Sequence, residues 1–245
     1  MFELNSETRV TELQDQSVAM MDALISTGIF REGDDADKTI NELCLGFALN
    51  PLIILNTLAR AWETEEPSTI DVSELDDMTL VEVVENIESL HHVYLRETLP
   101  VIGALIDRVA VVHGGRDDRL AEVHKLLAKL SADLETHLCH EEDALFAMVR
   151  DMEANGAIKP TRCGDAVGGP ILCMENDHEV MREELEKLHE LTDNFAEPEY
   201  ACMKYRKLLQ LLREFNQNTV VHMHKEDKVL FPRAVKAQAA LRKGS

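Results

Sequence analysis

Apolar residues recur at helical spacing along most of the chain, and short polar stretches separate the segments that show this pattern. In the first third of the sequence the pattern predicts three short helices, at residues 8–26, about 38–49 and about 51–65. Asn50-Pro51 is a start signal for the third, because proline suits the first position of a helix and asparagine caps it. A small N-terminal helical domain is therefore predicted over residues 1–66, followed by a polar linker.

Longer amphipathic segments fill residues 79–240. They predict four helices, from Thr79 to just before Gly114, from about 117 to 153, from about 170 to 195 and from about 200 to 238. Thr79 and Glu82 have the spacing of a capping box. The connections after the first and third helices are short, which implies antiparallel neighbours, and Pro232 is expected to kink or end the fourth helix. The predicted fold is all-α, an up-down-up-down four-helix bundle with a small N-terminal helical domain.

Composition and charge narrow the function classes. Apolar residues make up 45% of the 245 residues and aromatic residues only 4%, with few glycines and prolines, as in helical proteins. The formal net charge of −21 makes nucleic-acid backbones and anionic membranes unfavourable partners. The sequence shows neither a secretory signal nor an apolar stretch long enough to span a membrane. Five cysteines without a C-x-x-C pair are typical of reduced thiols, so a cytoplasmic location is predicted.

Two stretches of the chain repeat one pattern. In each, a His precedes a Glu by four residues, and Leu-Phe follows the Glu: His137 and Glu141 in the first stretch, His222 and Glu226 in the second. Positions i and i+4 share one face of a helix, so each pair directs an imidazole and a carboxylate toward the same point. Another His lies 45 residues before His137 and another 44 residues before His222. The chain therefore contains one helical hairpin twice, and two hairpins make a four-helix bundle.

This repeat predicts a dinuclear metal site in the core of the bundle. Imidazoles and carboxylates suit iron, manganese and zinc, and two carboxylates from opposite helices can each bridge two metals. A single His-x-x-x-Glu is common on solvated helices, but two copies with matching neighbours rarely arise by chance. The alternative is a bundle whose polar residues serve packing alone, which would cost on the order of several kcal/mol for unpaired buried groups. The predicted ligands are His92, His137, Glu141, His178, His222 and Glu226.

These residues resemble the haemerythrin-like domains, and more closely the repair-of-iron-centres (RIC) family of di-iron proteins. The resemblance extends from Leu90 to Ala234 and includes the motifs around all six predicted ligands. It implies two iron ions joined by an oxo or hydroxo bridge, with Glu141 and Glu226 bridging; manganese or zinc would suit the same ligands. It also implies further carboxylates beside the site, at Asp133 and Asp177. Tyr94 is either a redox-active neighbour of the site or a core-packing residue.

The chain departs from its relatives in two places. Oxygen-carrying haemerythrins have a second His one turn from the third-helix ligand, where this chain has Met174 and Arg182. They also use His-x4-Asp on the last helix, and Asp227 has that spacing, but the internal repeat favours Glu226. RIC proteins carry an adjacent Cys-Cys in the N-terminal domain, which the segment 32–37 replaces here.

Three functions follow from the resemblance. The first is a di-iron protein of nitrosative and oxidative stress that supplies iron to damaged or apo iron–sulfur proteins, or processes nitric oxide. The second is a module that binds or senses oxygen or nitric oxide, and the third is a di-iron oxidase or peroxidase. A metal-binding iron donor is favoured over a turnover enzyme, because fewer histidine ligands imply more open and less tightly held irons. A homodimer stays open.

Overall fold

The structure is a computed structural model that describes residues 2, 4–30, 35–63, 70–156 and 166–244. The α-helices are α1 (Val10–Gln16), α2 (Val18–Ser26), α3 (Ile40–Leu45), α4 (Pro51–Glu63), α5 (Leu80–Ile87), α6 (Val93–His113), α7 (Arg119–His140), α8 (Ala147–Asn155), α9 (Gly168–Leu191), α10 (Met203–Lys225) and α11 (Phe231–Gly244). A 3₁₀ turn occupies Ser73–Leu75. No strand occurs in these ranges, where an isolated antiparallel bridge joins Arg9 to Thr39. The predicted all-α fold is confirmed.

Segments of π-helix join several of these helices without a break in the helical backbone. They are π1 (Glu88–His92), π2 (Glu141–Phe146) and π3 (Glu226–Leu230). Three long helical runs result, at residues 80–113, 119–155 and 203–244, and with α9 they correspond to the four predicted bundle helices. The predicted capping box is confirmed: Thr79 Oγ1 accepts the Glu82 N–H at 3.2 Å, and Glu82 Oε2 accepts the Thr79 N–H at 2.7 Å.

Two expectations about helix ends have different outcomes. Pro232 does not end the last helix, because it lies inside the continuous helical run 203–244; a kink there stays a prediction. The change in backbone hydrogen bonding occurs just before it, in π3. The predicted helix over residues 8–26 is broken at Ser17, whose backbone is extended and whose Oγ caps α2 by accepting the Met20 N–H at 3.3 Å.

The chain forms two compact units. The second contains residues 84–140 and 174–225. Its apolar core takes side chains from α6, α7, α9 and α10; fully buried examples, one from each helix, are Leu95, Leu134, Leu188 and Phe215. Burying one such side chain stabilises the fold by about 2 kcal/mol. This common core holds the four helices together as a bundle.

The first unit contains residues 1–83, 141–173 and 226–245. In it, α2 packs against α4 and α11, and α11 packs against α8. Buried Gln238 accepts the Val167 N–H at 2.8 Å, and Arg233 donates to the Leu75 carbonyl at 3.0 Å. The boundaries of these two units differ from those of the predicted domains, 1–66 and 79–240. The predicted domain boundaries stay a prediction. Most of the predicted linker, and the first half of the segment 32–37 that replaces the Cys-Cys motif, lie outside the described residues.

Candidate metal centre

Four histidines cluster in the core of the second unit. His92, His137, His178 and His222 are all at most 1% exposed. The ring centroids of His92 and His222 are 5.1 Å apart, those of His137 and His178 are 5.0 Å apart, and those of His137 and His222 are 6.1 Å apart. Four buried imidazoles at these distances offer several nitrogen donors to one small volume.

The predicted carboxylates follow one turn further along two of the same helical runs. Glu141 comes four residues after His137 and Glu226 four residues after His222, and both are completely buried. A buried carboxylate is costly unless opposite charge or hydrogen bonds compensate it. A cation among the neighbouring imidazoles would supply that compensation.

The six predicted residues come together as two overlapping groups. One consists of His92, His222, Glu141 and Glu226, and the other of His137, His178, Glu141 and Glu226, with the offered ligand atoms of each group within 4.8 Å of one another. Both glutamates belong to both groups, which is the arrangement of two carboxylates shared by two metals. Asp227, the other acidic candidate on the fourth helix, is in neither group found among the described residues.

Each group draws one histidine from each copy of the repeat. His92 and His137 belong to the first copy, yet His92 groups with His222, and His137 groups with His178. The reason is the packing of the helices: α6, which follows His92, packs against α10, which carries His222. Each copy of the hairpin therefore contributes to both candidate groups.

All three π segments lie at predicted ligands. His92 is the last residue of π1, Glu141 the first of π2 and Glu226 the first of π3. A π turn places an extra residue in the helix and rotates the side chains that follow it, and such turns are frequent at functional sites. Adjacent Leu145 and Phe146, in the last two positions of π2, are both fully buried.

The π1 segment also explains a buried residue that the sequence pattern missed. His91, expected on the surface or in packing, is 4% exposed and stacks on His222 with ring centroids 5.5 Å apart. Its Nδ1 donates to Asn218 Oδ1 at 3.1 Å. Adjacent histidines both point inward here because the helix is π at this position, so periodicity alone could not find His91.

The three further candidates have different surroundings. Asp177 Oδ2 lies 3.5 Å from His137 Nδ1, which leaves Nε2 of that ring for a metal. Asp133 instead pairs with Lys129 at 2.8 Å, and the Lys129 ammonium also contacts buried Glu184; these two carboxylates raise the pKa of Lys129. Tyr94 packs against the apolar core, and burial raises its pKa, which favours the packing interpretation.

The donor set fits divalent transition metals. Four imidazoles and two carboxylates suit iron, manganese and zinc, whereas calcium and magnesium prefer oxygen ligands alone. Cys139, close to the ligands in sequence, hydrogen-bonds to Glu135 at 3.5 Å and is in neither group found among the described residues.

Comparison with known proteins identifies the family. The model for the Hemerythrin HHE cation binding domain matches residues 85–166 and 169–243, which include all six predicted ligands. The chain belongs to the haemerythrin family. The predicted resemblance is thereby confirmed, and cation binding is the property that the family's description states.

Curated relatives within this haemerythrin family carry names that refer to iron–sulfur repair. The chain is 32% identical over 181 residues to the iron-sulfur cluster repair protein YtfE of Yersinia pseudotuberculosis serotype O:1b, covering 73% of this chain and 75% of the relative. It is 32% identical over 154 residues to a probable iron-sulfur cluster repair protein of Haemophilus influenzae, covering 63% and 65% of the two chains. The resemblance to the RIC proteins is confirmed by these matches. Among the described helices, none combines the length and apolarity needed to cross a bilayer.

Proposed function

We propose that the protein holds two iron ions at His92, His137, Glu141, His178, His222 and Glu226, and supplies iron for the repair of damaged iron–sulfur clusters under nitrosative or oxidative stress. The observation that carries this proposal is the sharing of Glu141 and Glu226 between two histidine pairs. The names of the curated relatives support the repair of iron–sulfur proteins as the task. The cytoplasm, where such targets are made, is the proposed location.

The ligand count favours release of iron over storage of oxygen. Each group offers two imidazoles and two shared carboxylates, so an iron bound there would keep coordination positions that the chain does not fill. The residues one turn either side of His178 provide no additional imidazole, since they are Met174 and Arg182. A metal with fewer permanent ligands dissociates more readily and is open to small diatomic molecules. Nitric oxide and oxygen are therefore the proposed small-molecule partners.

One solvent-accessible group adjoins the buried ligands. The Asp177 side chain is 46% exposed while its His137 partner is 1% exposed, so this contact connects the buried cluster to the surface. A carboxylate at that position can receive a cation leaving the histidines and can orient the His137 ring while the cation is bound. The chain's own contribution to delivery is therefore proposed to begin at Asp177.

The proposal is tested by anaerobic reconstitution of an enzyme whose iron–sulfur cluster has been damaged by nitric oxide. Iron-loaded protein should restore activity of the damaged enzyme in the presence of an iron chelator that blocks repair by free iron. The matched control is the Glu141→Ala protein put through the same loading procedure, which should restore no activity. Equal repair by both proteins, or repair that the chelator abolishes, would overturn iron donation.

Metal content and spectra of the same samples test the centre itself. Protein purified without added metal should contain close to two irons per chain. A stable, reversible oxygen adduct without loss of iron would instead support the binding or sensing function. Turnover with peroxide would support the oxidase or peroxidase function.

A further inference from the structure

A cysteine and a histidine form a close pair at the end of α6 away from the metal ligands. Cys202 Sγ lies 3.1 Å from His113 Nε2. His113 is the last residue of α6, and Cys202 comes directly before α10. Because α6 rises by 1.5 Å per residue, His113 is about 30 Å along the helix axis from His92. The pair therefore forms a chemical feature separate from the candidate metal centre.

A buried hydrogen-bond network fixes the position of this pair. Asp117 Oδ2 accepts hydrogen bonds from the Tyr200 and Tyr205 hydroxyls, both at 2.9 Å, and Arg119 donates to both carboxylate oxygens at 2.9 and 3.0 Å. The Asp117 side chain is only 2% exposed. The two tyrosine rings in turn contact the His113 ring, with centroids 6.2 and 5.4 Å away. The His113 imidazole therefore packs against two tyrosine rings whose hydroxyls are fixed by hydrogen bonds to Asp117.

The surroundings of Cys202 favour the thiolate. The His113 imidazole has the largest effect, and the backbone N–H groups of Tyr205 and Lys204, in the first turn of α10, also face the sulfur; together they lower the thiol pKa to about 7. Asp117 does not oppose this, because its charge is paired with Arg119. Arg206, on the same turn, is directed to the Ala201 carbonyl at 3.1 Å. Cys202 is also exposed, so the sulfur is accessible to molecules in solution.

We propose that Cys202 and His113 form a thiol-exchange site that reacts with the disulfide of a low-molecular-weight thiol. The Cys202 thiolate attacks one sulfur of the disulfide, a new S–S bond forms, and the old S–S bond breaks. The proton of the Cys202 thiol passes to His113 Nε2 as the thiolate forms, and the imidazole then gives it to the departing thiolate. Cys202 is oxidised to a mixed disulfide and half of the small disulfide is reduced to a thiol, so electrons and protons balance.

Thiol chemistry favours this substrate class. The optimum attacking thiol has a pKa near the ambient pH, because a lower pKa reduces nucleophilicity and a higher one reduces the thiolate fraction. Two of the other described cysteines do not meet this condition: burial raises the pKa of Cys44 to about 12, and burial with the adjacent Glu135 raises the pKa of Cys139. Exchange is therefore expected to favour Cys202 over Cys44 and Cys139.

The test uses the metal-loaded 245-residue chain and oxidised glutathione between pH 5.5 and 9, with each cysteine followed by peptide mass spectrometry. Mixed disulfide at Cys202 should form with a half-maximal rate near pH 7. Cys139 is the control within the chain and should react only at higher pH. Equal pH dependence at the two cysteines in the wild-type protein would overturn the proposal, and this outcome requires no variant.

The role of His113 is tested with His113→Gln, and with His113→Asn as a second variant, each checked for folding by circular dichroism. Either change should move the midpoint for Cys202 upward by about one pH unit, which lowers the rate near pH 6 about tenfold. Iodoacetamide distinguishes the two roles of the imidazole, because iodide leaves without a proton. The rates are compared at pH values where Cys202 has the same thiolate fraction in each protein. Cys202 of the variants should then react more slowly than wild type with the disulfide, and at the same rate as wild type with iodoacetamide. An unchanged midpoint in both variants would remove His113 from the site.

Discussion

The carboxylates of Glu141 and Glu226 lie within 4.8 Å of each other and are both completely buried. When both are ionised, their mutual repulsion amounts to about 3 kcal/mol at an effective dielectric constant near 20. A divalent cation bound between them would replace this repulsion with attraction to both. We therefore expect metal loading to stabilise the fold through these two residues.

Removing the metal should lower the melting temperature. A metal present at a thousand times its dissociation constant stabilises the folded chain by about 4 kcal/mol, and in a chain of this size each kcal/mol moves the midpoint by about 2–4 °C. Scanning calorimetry with and without a chelator should show a difference on the order of 10 °C. Glu141→Gln removes one of the two charges, so the metal-free variant should melt no lower than the metal-free wild type. Coincident melting of loaded and metal-free wild-type protein would contradict the coupling.

The cross-copy grouping of histidines predicts which double variants keep one metal. His137→Ala with His178→Ala removes both imidazoles of one group and leaves His92 and His222, so about one metal per chain should remain. His92→Ala with His178→Ala removes one imidazole from each group, so both metals should be lost or strongly weakened. Metal analysis after gel filtration measures the difference.

The same metal analysis includes a control variant and has an outcome that would contradict the proposed pairing of histidines. His113→Ala changes a histidine outside both groups and should leave two metals. If the two double variants lose metal equally, the pairing of His137 with His178 is wrong, although the six ligands could still be right.

The predicted ligand set, which stays a prediction, was drawn from the simplest helical relation, a spacing of four residues within a repeat. His137 with Glu141, and His222 with Glu226, obey that relation whatever the rest of the fold does. The capping box at Thr79 was likewise a local feature, readable from two residues. The capping box was confirmed because its physical cause lies within one turn of helix.

The features that the sequence did not indicate depend on packing between segments that are distant along the chain. The grouping of His92 with His222 follows from which helices are neighbours, and the repeat alone favoured neither pairing. The inward position of His91 follows from π1, where α-helical periodicity no longer applies. The Asp117 network joins residues more than 80 positions apart in the chain, so no local pattern indicates it.

The two acidic candidates beside the site should behave differently. Asp177→Asn weakens the acceptor for His137 Nδ1, so the ring is less firmly oriented and metal affinity should fall about tenfold. Asp133→Asn is the matched control: Asp133 pairs with Lys129, and its replacement should leave affinity unchanged. Competition with a chromophoric chelator measures both. Equal effects of the two substitutions would show that the His137 contact is not what Asp177 contributes.

The Asp117 network makes stability depend on pH in acid. The Arg119 guanidinium, with the Tyr200 and Tyr205 hydroxyls, holds the pKa of Asp117 well below its usual value. A carboxyl whose pKa is lower in the folded state stabilises the protein fully above its unfolded pKa of about 4, and this contribution is lost as the pH falls toward the folded value. Asp117→Asn should therefore cost about 2–3 kcal/mol at pH 7, the size of a hydrogen bond to a charged group, and less at pH 3.5.

Urea denaturation of the wild type and the Asn variant at pH 7, 5 and 3.5 measures this contribution. The exposed neighbour Asp118 supplies the control, since Asp118→Asn should change the free energy of unfolding by less than about 0.5 kcal/mol at every pH. The decisive quantity is the difference between Asp117→Asn and wild type, which should be constant from pH 7 to 5 and shrink below pH 4. A difference that grows in acid would mean that Asp117 is protonated more readily in the folded chain than in the unfolded one, the reverse of what its arginine and tyrosine partners impose.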